Sequence, residues 1–241
     1  MRIFIVVLMC LGLSMNCFAD SIDLPAVKAG DNWTYLTTNE IGANGWSQSN
    51  DKITVSRVTA TSIYYTMQQA GSTRPPKEVV AGIDWSRLRD VNGKEMTVNQ
   101  PLSFPLSTGK TWTVEYTEQH PNKVHKFEHW NSKATVIGYE TVKVPAGKFN
   151  ALKIEMEGQW SAELEPSQTV IQGAQTTQNS TTMVTQAQKI GATPVTGRLY
   201  KAFWYAPKIK RWVKSIEEYY GNNGVRSERH TGELESFIFA K

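Results

Sequence analysis

The sequence predicts an all-β protein: a single antiparallel, strongly curved sheet, a half-barrel or barrel of roughly nine to twelve strands, with little helix. Two observations predict this fold class. Apolar and polar residues alternate with a period of two along most of the chain, and no long run has the period of a helix. Turn sequences such as Asn92-Gly93 and Asn223-Gly224 separate these runs, and Asn-Gly accepts the positive φ angles of tight hairpins.

The predicted strands are rich in β-branched and aromatic residues, which suit a pleated, half-buried surface. The pattern of Lys77–Asp90 fits neither a strand nor a helix clearly, so this stretch has no assignment. In chain order the predicted strands are Trp33–Thr38, Asp51–Val58, Ser62–Gln68, Thr111–Glu118, Thr135–Val144, Leu152–Met156, Leu199–Tyr205, Arg211–Tyr219 and Glu233–Phe239.

The stretch ETVKVPAGKFNALKIEME, residues 140–157, predicts a β-hairpin closed by the four residues 145–148. In that register Val144 faces Phe149 and Tyr139 faces Ile154. Tyr139 and Ile154 are therefore expected on the core face. Near the turn the apolar residues change to the other face in both strands at once. We expect the tip to be covered from that other side, without a bulge.

The first nineteen residues predict a signal peptide that is cleaved before Asp20. Arg2 precedes the uncharged apolar run 3–13, and Cys17-Phe18-Ala19 places small residues where a signal peptidase cuts. The run is shorter than the roughly 20 residues that a membrane-spanning helix needs. We therefore expect an exported protein in the periplasm of a Gram-negative bacterium. Lipid anchoring at Cys17 is the weaker alternative, because Asn16 stands where lipidation signals have a small residue.

The rest of the chain, residues 20–241, is predicted to be a single β-rich domain. Both cysteines, Cys10 and Cys17, lie in the predicted signal, which excludes thiolate catalysis and cysteine-ligated metals from the domain. Its length is sufficient for one core without disulfides. The formal net charge of +4 is too small to predict nucleic-acid binding.

A polar segment at about 165–191 is rich in Gln, Thr and Ser and nearly free of charge. We interpret this segment as a long polar hairpin or loop at the rim of the sheet. The functional alternative is a lid or a glycan-facing surface, because amides and hydroxyls suit neutral polar partners.

Three stretches resemble a family of uncharacterised exported β-proteins of Gram-negative bacteria. They are PLSFPLSTGKTW (101–112), VKVPAGKFNALKIE (142–155) and FWYAPKIKRWVKSIE (203–217). That family is similar in architecture to the half-barrel lipoprotein carriers and lipocalin-like binders of the cell envelope. The resemblance implies a concave sheet that could hold an apolar ligand. The polar segment departs from the family pattern.

Histidines cluster in HPNKVHKFEHW, at His120, His125 and His129. On a strand His125 and His129 would share a face about 7 Å apart, whereas Glu128 would point to the opposite face. We interpret them as exposed hairpin histidines and predict no metal site and no cofactor. The sequence has no nucleophile elbow, zinc-binding helix or phosphate loop. We therefore expect no enzyme activity.

Basic residues cluster around Trp212. We interpret them as a solvated strand-and-turn region whose charges discourage edge pairing. The functional alternative is a basic surface patch that binds an anionic lipid headgroup, an acidic glycan or a membrane surface. The residues of this candidate patch are Lys208, Lys210, Arg211 and Lys214.

These features predict a non-enzymatic exported protein that binds or carries a hydrophobic or lipid-like ligand in a β-sheet cavity. One alternative is an envelope assembly or interaction protein that acts through its surface and a protein partner. Another is a hydrolase of envelope glycans, because its two carboxylates could be distant in sequence. Some of eight aromatic residues are expected to line this cavity, and core packing is the alternative role of each one. The eight candidates are Trp33, Tyr35, Tyr64, Trp112, Tyr116, Tyr139, Trp160 and Trp204.

Overall fold

A computed structural model describes residues 21–42, 45–165, 167–177, 180–190 and 194–241. The predicted signal peptide lies outside the described residues. In the described part, a short 3-10 helix covers Pro207–Ile209. The strands are β1 (Asn32–Ile41), β2 (Trp46–Val58), β3 (Ser62–Gln69), β4 (Lys77–Gly82), β5 (Arg87–Val91), β6 (Lys94–Asn99), β7 (Thr111–Gln119), β8 (His125–Val144), β9 (Gly147–Leu164), β10 (Ser167–Thr177), β11 (Ser180–Ile190), β12 (Pro194–Ala206), β13 (Arg211–Tyr220) and β14 (Arg226–Ile238).

Ten of these strands form one curved antiparallel sheet in the order β4-β3-β2-β1-β14-β13-β12-β9-β8-β7. The pairs β5–β6 and β10–β11 form two small separate sheets. The predicted all-β fold is confirmed. Eight of the nine predicted strands lie within an observed one, and the ninth, Glu233–Phe239, extends one residue beyond the end of β14. The sheet does not close into a barrel, because β4 and β7 each pair on one side only among the described residues. The unassigned stretch 77–90 contains β4 and most of β5.

Strand β14 joins the two halves of the sheet. Its residues pair with β1 on one side, as Leu234 does with Tyr35, and with β13 on the other, as Glu233 does with Lys214. The β1–β14 ladder therefore joins strands β1 to β4 to the other half of the sheet, which consists of β13, β12, β9, β8 and β7.

The β8–β9 hairpin forms, but with a different register from the predicted one. Val144 pairs with Gly147, so the loop is two residues shorter, and Tyr139 pairs with Leu152. The predicted absence of a bulge is wrong, because the register shifts between Val136 and Gly138. A bulge bends the strand that contains it and adds local twist. This shift explains why a register counted back from the turn does not hold in the body of the hairpin.

Burial along the hairpin follows the prediction at Ile154, which is buried, but not at Tyr139, which is 49% exposed. Val142 and Val144 near the turn are buried, as expected for a tip covered from its other side. The amide of Ala146 in the turn donates to the carbonyl of Leu234 in β14. The hairpin tip is thus fixed to a strand with which neither β8 nor β9 pairs.

One face of the large sheet, called the inner face here, contains the buried residues Trp33, Ala134, Ile154 and Leu234. The segment 83–109, between β4 and β7, covers part of this face. Trp85 packs edge-on against Trp33 at 5.5 Å between ring centroids. Leu102 and Leu106, from the same segment, are fully buried in the core. The most apolar part of the inner face is therefore covered by the chain's own side chains.

Strands β10 and β11 fall within the polar segment and pair with each other from Ser167↔Ile190 to Thr177↔Ser180. Within the part of the chain that the structure describes, no helix has the length and apolar character needed to cross a bilayer.

Candidate functional site

The inner face remains open where segment 83–109 does not cover it. Two adjoining cavities, of about 320 and 410 Å³, share Trp130 and Tyr219 in their linings. We call these two cavities together the trough. Its floor is the inner face of β7, β8, β9, β12 and β13, and residues of β5 and β6 line one side.

A row of three aromatic rings crosses the trough. Tyr116 of β7 pairs with Trp130 of β8, and Trp130 pairs with Trp160 of β9. Residues directly opposite each other in neighbouring antiparallel strands share a face of the sheet. The rings are stacked, with centroids 6.3 and 5.9 Å apart and interplanar angles of 13° and 27°. All three side chains are only half-buried, so this row is accessible to a ligand.

A glycine on the next strand allows this arrangement. Gly197 of β12 pairs with Trp160. A Cβ atom at position 197 would lie 2.3 Å from Nε1 of Trp160 and 2.3 Å from the carbonyl oxygen of Tyr220. Real Cβ atoms do not approach other atoms so closely. The Trp160 indole therefore lies over the backbone of β12 because residue 197 has no side chain.

Glu128 fixes the orientation of the middle ring of the row. Its Oε2 accepts a hydrogen bond from Trp130 Nε1 at 2.9 Å, and its Oε1 lies 2.6 Å from Nδ1 of His125. The His125 ring stacks on Trp160 at 6.3 Å between centroids. One carboxylate thus holds two of the rings that border the trough.

An ion pair lies at the centre of the floor. Lys201 of β12 pairs directly with Glu217 of β13, and the Lys201 Nζ lies 2.9 Å from a Glu217 carboxylate oxygen. Burial would raise the pKa of Glu217, but the Lys201 ammonium outweighs burial and holds that pKa below its ordinary value. Burial would likewise lower the pKa of Lys201, whereas the charges of Glu217 and Tyr219 raise it. Both groups are charged at neutral pH.

The side of the trough formed by β5 and β6 contributes polar groups. Arg89 makes a two-pronged pair with Glu118, with its guanidinium 6.0 Å from the centre of the Tyr116 ring. The Asn99 Oδ1 lies 3.4 Å from the Lys201 Nζ. The trough therefore presents flat aromatic faces beside donors and acceptors that are already partly engaged with each other.

Glu217, at the centre of the floor, is not placed to act as a general acid. A general acid needs a proton at neutral pH, and Glu217 is ionised and paired. Flat half-buried rings with fixed polar groups nearby favour a ligand that has an apolar ring face and polar edges.

The predicted cavity aromatics are divided between the two faces of the sheet. Tyr116 and Trp160 lie in the trough. Three others, Trp33, Tyr35 and Trp112, lie on the inner face where other residues cover them. The indole N–H of Trp112 donates a hydrogen bond to the carbonyl of Gln100. The Tyr35 hydroxyl donates one to the carbonyl of Trp212.

The other three predicted residues do not line the trough. Tyr64 alternates with the buried Ile63, so it lies on the outer face, where the Arg57 guanidinium covers its ring at 3.9 Å. Trp204 also lies on the outer face, opposite Lys153, and its indole donates to Glu140. Tyr139 lies beyond the bulge in β8 and is exposed.

The candidate basic patch does not form as one surface. Arg211 is buried, whereas Lys208 is exposed. Lys210 pairs with the buried Asp31 at 2.8 Å, and Lys214 pairs with Glu233 at 2.7 Å. Alternation along β13 and the bend at the 3-10 helix direct these neighbouring cations to different surroundings.

Several trough residues were not singled out from the sequence, among them Trp130, Lys201, Glu217 and Tyr219. Trp130, Ser132 and Ala134 are two residues apart and therefore share one face of β8, which is a usable signal for the inner face. The histidines before residue 135 favour the interpretation of this stretch as an exposed hairpin instead. In the described residues, no group of three or more His, Cys, Asp or Glu side chains is placed to hold a metal ion.

No protein-family model matches the sequence, and no curated protein matches it. Solved structures similar to this chain include a protein of Parabacteroides distasonis described as a putative lipoprotein, with 15% identity, a TM-score of 0.45, and coverage of 91% of this chain and 100% of that chain. Another is a protein of Bacteroides fragilis described as a putative exported protein with a YmcC-like fold, with 17% identity, a TM-score of 0.42 and the same coverages. The resemblance to lipoprotein carriers and lipocalin-like binders stays a prediction.

Proposed function

We propose that the protein is an exported, non-enzymatic binding module that holds an amphipathic ligand with flat ring faces in the trough. The stacked row of Tyr116, Trp130 and Trp160 is the observation that supports this proposal most directly. Export is proposed from the signal-peptide pattern of residues 1–19.

The ligand class follows from what the inner face still offers. A purely hydrophobic chain would need the apolar part of this face, which Trp85, Leu102 and Leu106 already occupy. The open part combines aromatic faces with the Lys201–Glu217 pair, which favours rings that have hydroxyl or amide edges. Sugar rings have this chemistry because one of their faces presents C–H groups, and we propose an oligosaccharide as the ligand.

The proposal is tested by titrating the purified protein with neutral oligosaccharides, small planar aromatic amides and lipid vesicles, using calorimetry and tryptophan fluorescence. We expect saturable binding of an oligosaccharide. Trp130→Ala and Trp160→Ala should each weaken binding about 5- to 100-fold, since one stacked ring contributes roughly 1–3 kcal/mol to comparable contacts. Trp46→Ala is the matched control, because Trp46 is 69% exposed and lies at the start of β2, outside the trough.

Each outcome separates the ligand sources. Vesicle binding that is weakened by Trp130→Ala and Trp160→Ala would favour the lipid-like ligand. Binding of the aromatic amides alone would show that the ligand carries an aromatic ring instead of a sugar. Binding of every probe at unchanged affinity in Trp130→Ala would refute the trough as the site. Mass spectrometry of denatured protein from its native host would show directly whether a stoichiometric ligand is bound.

A further inference from the structure

Arg211, the first residue of β13, is held in an unusual environment. It is only 6% exposed. Its guanidinium carbon lies 4.3 Å from the ring centre of Trp212 and 4.4 Å from that of Trp85. The rings of Tyr35 and Trp33 follow at 5.4 and 5.9 Å. Four aromatic side chains thus surround one buried cation.

This cation has no charged partner in the part of the chain that the structure describes. No carboxylate oxygen there lies within 4.0 Å of Arg211, and its Nε and Nη1 have no hydrogen-bond partner. Aromatic faces attract the charge, but they do not accept the N–H groups at the edge of the guanidinium as an oxygen atom would. Buried donors are nearly always paired in folded proteins, because an unpaired donor keeps its full desolvation cost.

Arg211 also lines a recess of about 240 Å³ next to the trough. The recess shares Glu217 with the trough. Its wall contains the hydroxyl groups of Thr37 and Ser215, the His230 ring and two carboxylates. One carboxylate, Glu217, is already paired with Lys201. The other, Asp51, accepts a hydrogen bond from the Ser49 hydroxyl at 3.3 Å.

We infer that Arg211 binds the anionic group of a ligand in this recess. The chemical class is a monoanion that offers oxygen acceptors: a carboxylate, a sulfate ester or a phosphodiester. A dianion is disfavoured because Asp51 and Glu217 place two negative charges on the same wall. The inference deepens the proposed function, since the ring portion of such a ligand would extend into the trough past Glu217. An acidic oligosaccharide satisfies both parts.

The test observes the arginine itself. Two-dimensional NMR of ¹⁵N-labelled protein resolves the Nε–H signals of arginine side chains, and Arg211→Lys identifies the Arg211 signal by its loss. We expect this signal to shift saturably with sodium acetate and sodium methyl sulfate, and at least several-fold more weakly with phosphate at pH 8. Sodium chloride at matched ionic strength is the control. The absence of a saturable shift with either monoanion would overturn the inference.

A charge change at Asp51, which also lines the recess, gives a second test that does not require the Arg211 variant to fold. Asp51→Asn removes a nearby negative charge and should tighten acetate binding about three- to ten-fold. Asp23→Asn makes the same change at an exposed position and should leave it unaltered. If water connects Asp51 to Arg211 as its counterion, Asp51→Asn will lower the melting temperature without tightening acetate binding. That result would also overturn the inference.

Different variants test the proposed function and the role of Arg211, so that one proposal can fail while the other holds. Trp130→Ala should weaken oligosaccharide binding about 5- to 100-fold but keep the acetate shift at Arg211. Arg211→Lys should keep the binding of neutral oligosaccharides and lose the preference for acidic ones.

Discussion

The Lys201–Glu217 ion pair on the trough floor contributes to the free energy of unfolding in a way that depends on pH. The pKa of Glu217 is below its ordinary value of 4.5, so its contribution is present above that pH and is lost as pH falls through the folded-state pKa. The pKa of Lys201 is above 10.5, so its contribution is present below that pH and is lost as pH rises through the folded-state pKa. The full contribution of the pair therefore lies between these limits.

Removing one partner should expose this dependence. Lys201→Met leaves Glu217 without its cation and should lower the free energy of unfolding at pH 7 by up to about 3 kcal/mol. The loss should shrink below pH 4.5, as Glu217 is protonated. Urea unfolding at pH 7 and pH 3 measures the difference. Lys126→Met, which breaks the more exposed Lys126–Glu163 pair, is the control and should cost less than about 1 kcal/mol.

A double variant completes this prediction. Lys201→Met with Glu217→Leu removes both charges and should recover part of the stability lost in Lys201→Met, because no charge is left unpaired. An equal loss in Lys201→Met at both pH values would show that packing of the Lys201 side chain, rather than its charge, is responsible.

Residue positions in the trough could be predicted only in part from the sequence. Tyr116 and Trp160 were identified because aromatic residues stand out in strands. Tyr64 and Trp204 were assigned to the cavity although they lie on the outer face. Alternation gives two sets of residues for each strand, but which set faces inward depends on register and on bulges. Composition does not determine either of these.

At the scale of elements, the packing of β9 on β12 depends on a residue without a side chain. Gly197→Ala would place a Cβ atom against the Trp160 indole and the Tyr220 carbonyl. We expect the free energy of unfolding to fall by about 1–3 kcal/mol, the usual range for overpacking. Near-ultraviolet circular dichroism should change as well, since Trp160 must move out of its stack with Trp130.

Gly221→Ala is the matched control for this prediction. A Cβ atom there would meet the Asn223 Oδ1 at 3.3 Å, a contact that a shift of a few tenths of an ångström relieves. A Gly197→Ala variant with unchanged stability and an unchanged aromatic spectrum would contradict the packing described for Trp160.

The β8–β9 hairpin shows where prediction of elements from sequence succeeds and where it does not. Its existence, the burial of Ile154 and the coverage of its tip followed from alternation alone. Its register did not, because the loop has two residues instead of four, and because Ile137 is inserted between Val136 and Gly138 at a bulge further along β8. Strands β4 to β6 were missed because charged residues interrupt their apolar pattern; β4 and β6, for example, each begin with a Lys-Glu pair.

At the scale of the whole molecule, β14 couples the two halves of the sheet. Leu234 is fully buried, pairs with Tyr35 and accepts a hydrogen bond from the turn of the β8–β9 hairpin. Leu234→Ala should therefore lower the free energy of unfolding by about 2–5 kcal/mol. Ile238→Ala, on the same strand but 65% exposed, should change it by less than about 0.5 kcal/mol.

Hydrogen exchange tests whether the coupling is global. In Leu234→Ala the amides of β2 and of β9 should lose protection together, because both depend on the same central strand. Retained protection in β2 with loss in β9 would show that the two halves are separately stable units.

The position of β14 in the chain has a consequence for biosynthesis. Strand β1 pairs with a strand that is nearly 200 residues later, so its edge stays unsatisfied until Arg226–Ile238 has been made. A chain that emerges in order from a ribosome therefore cannot form the β1–β14 ladder until β14 has been made. The large sheet reaches its ten strands only after that step.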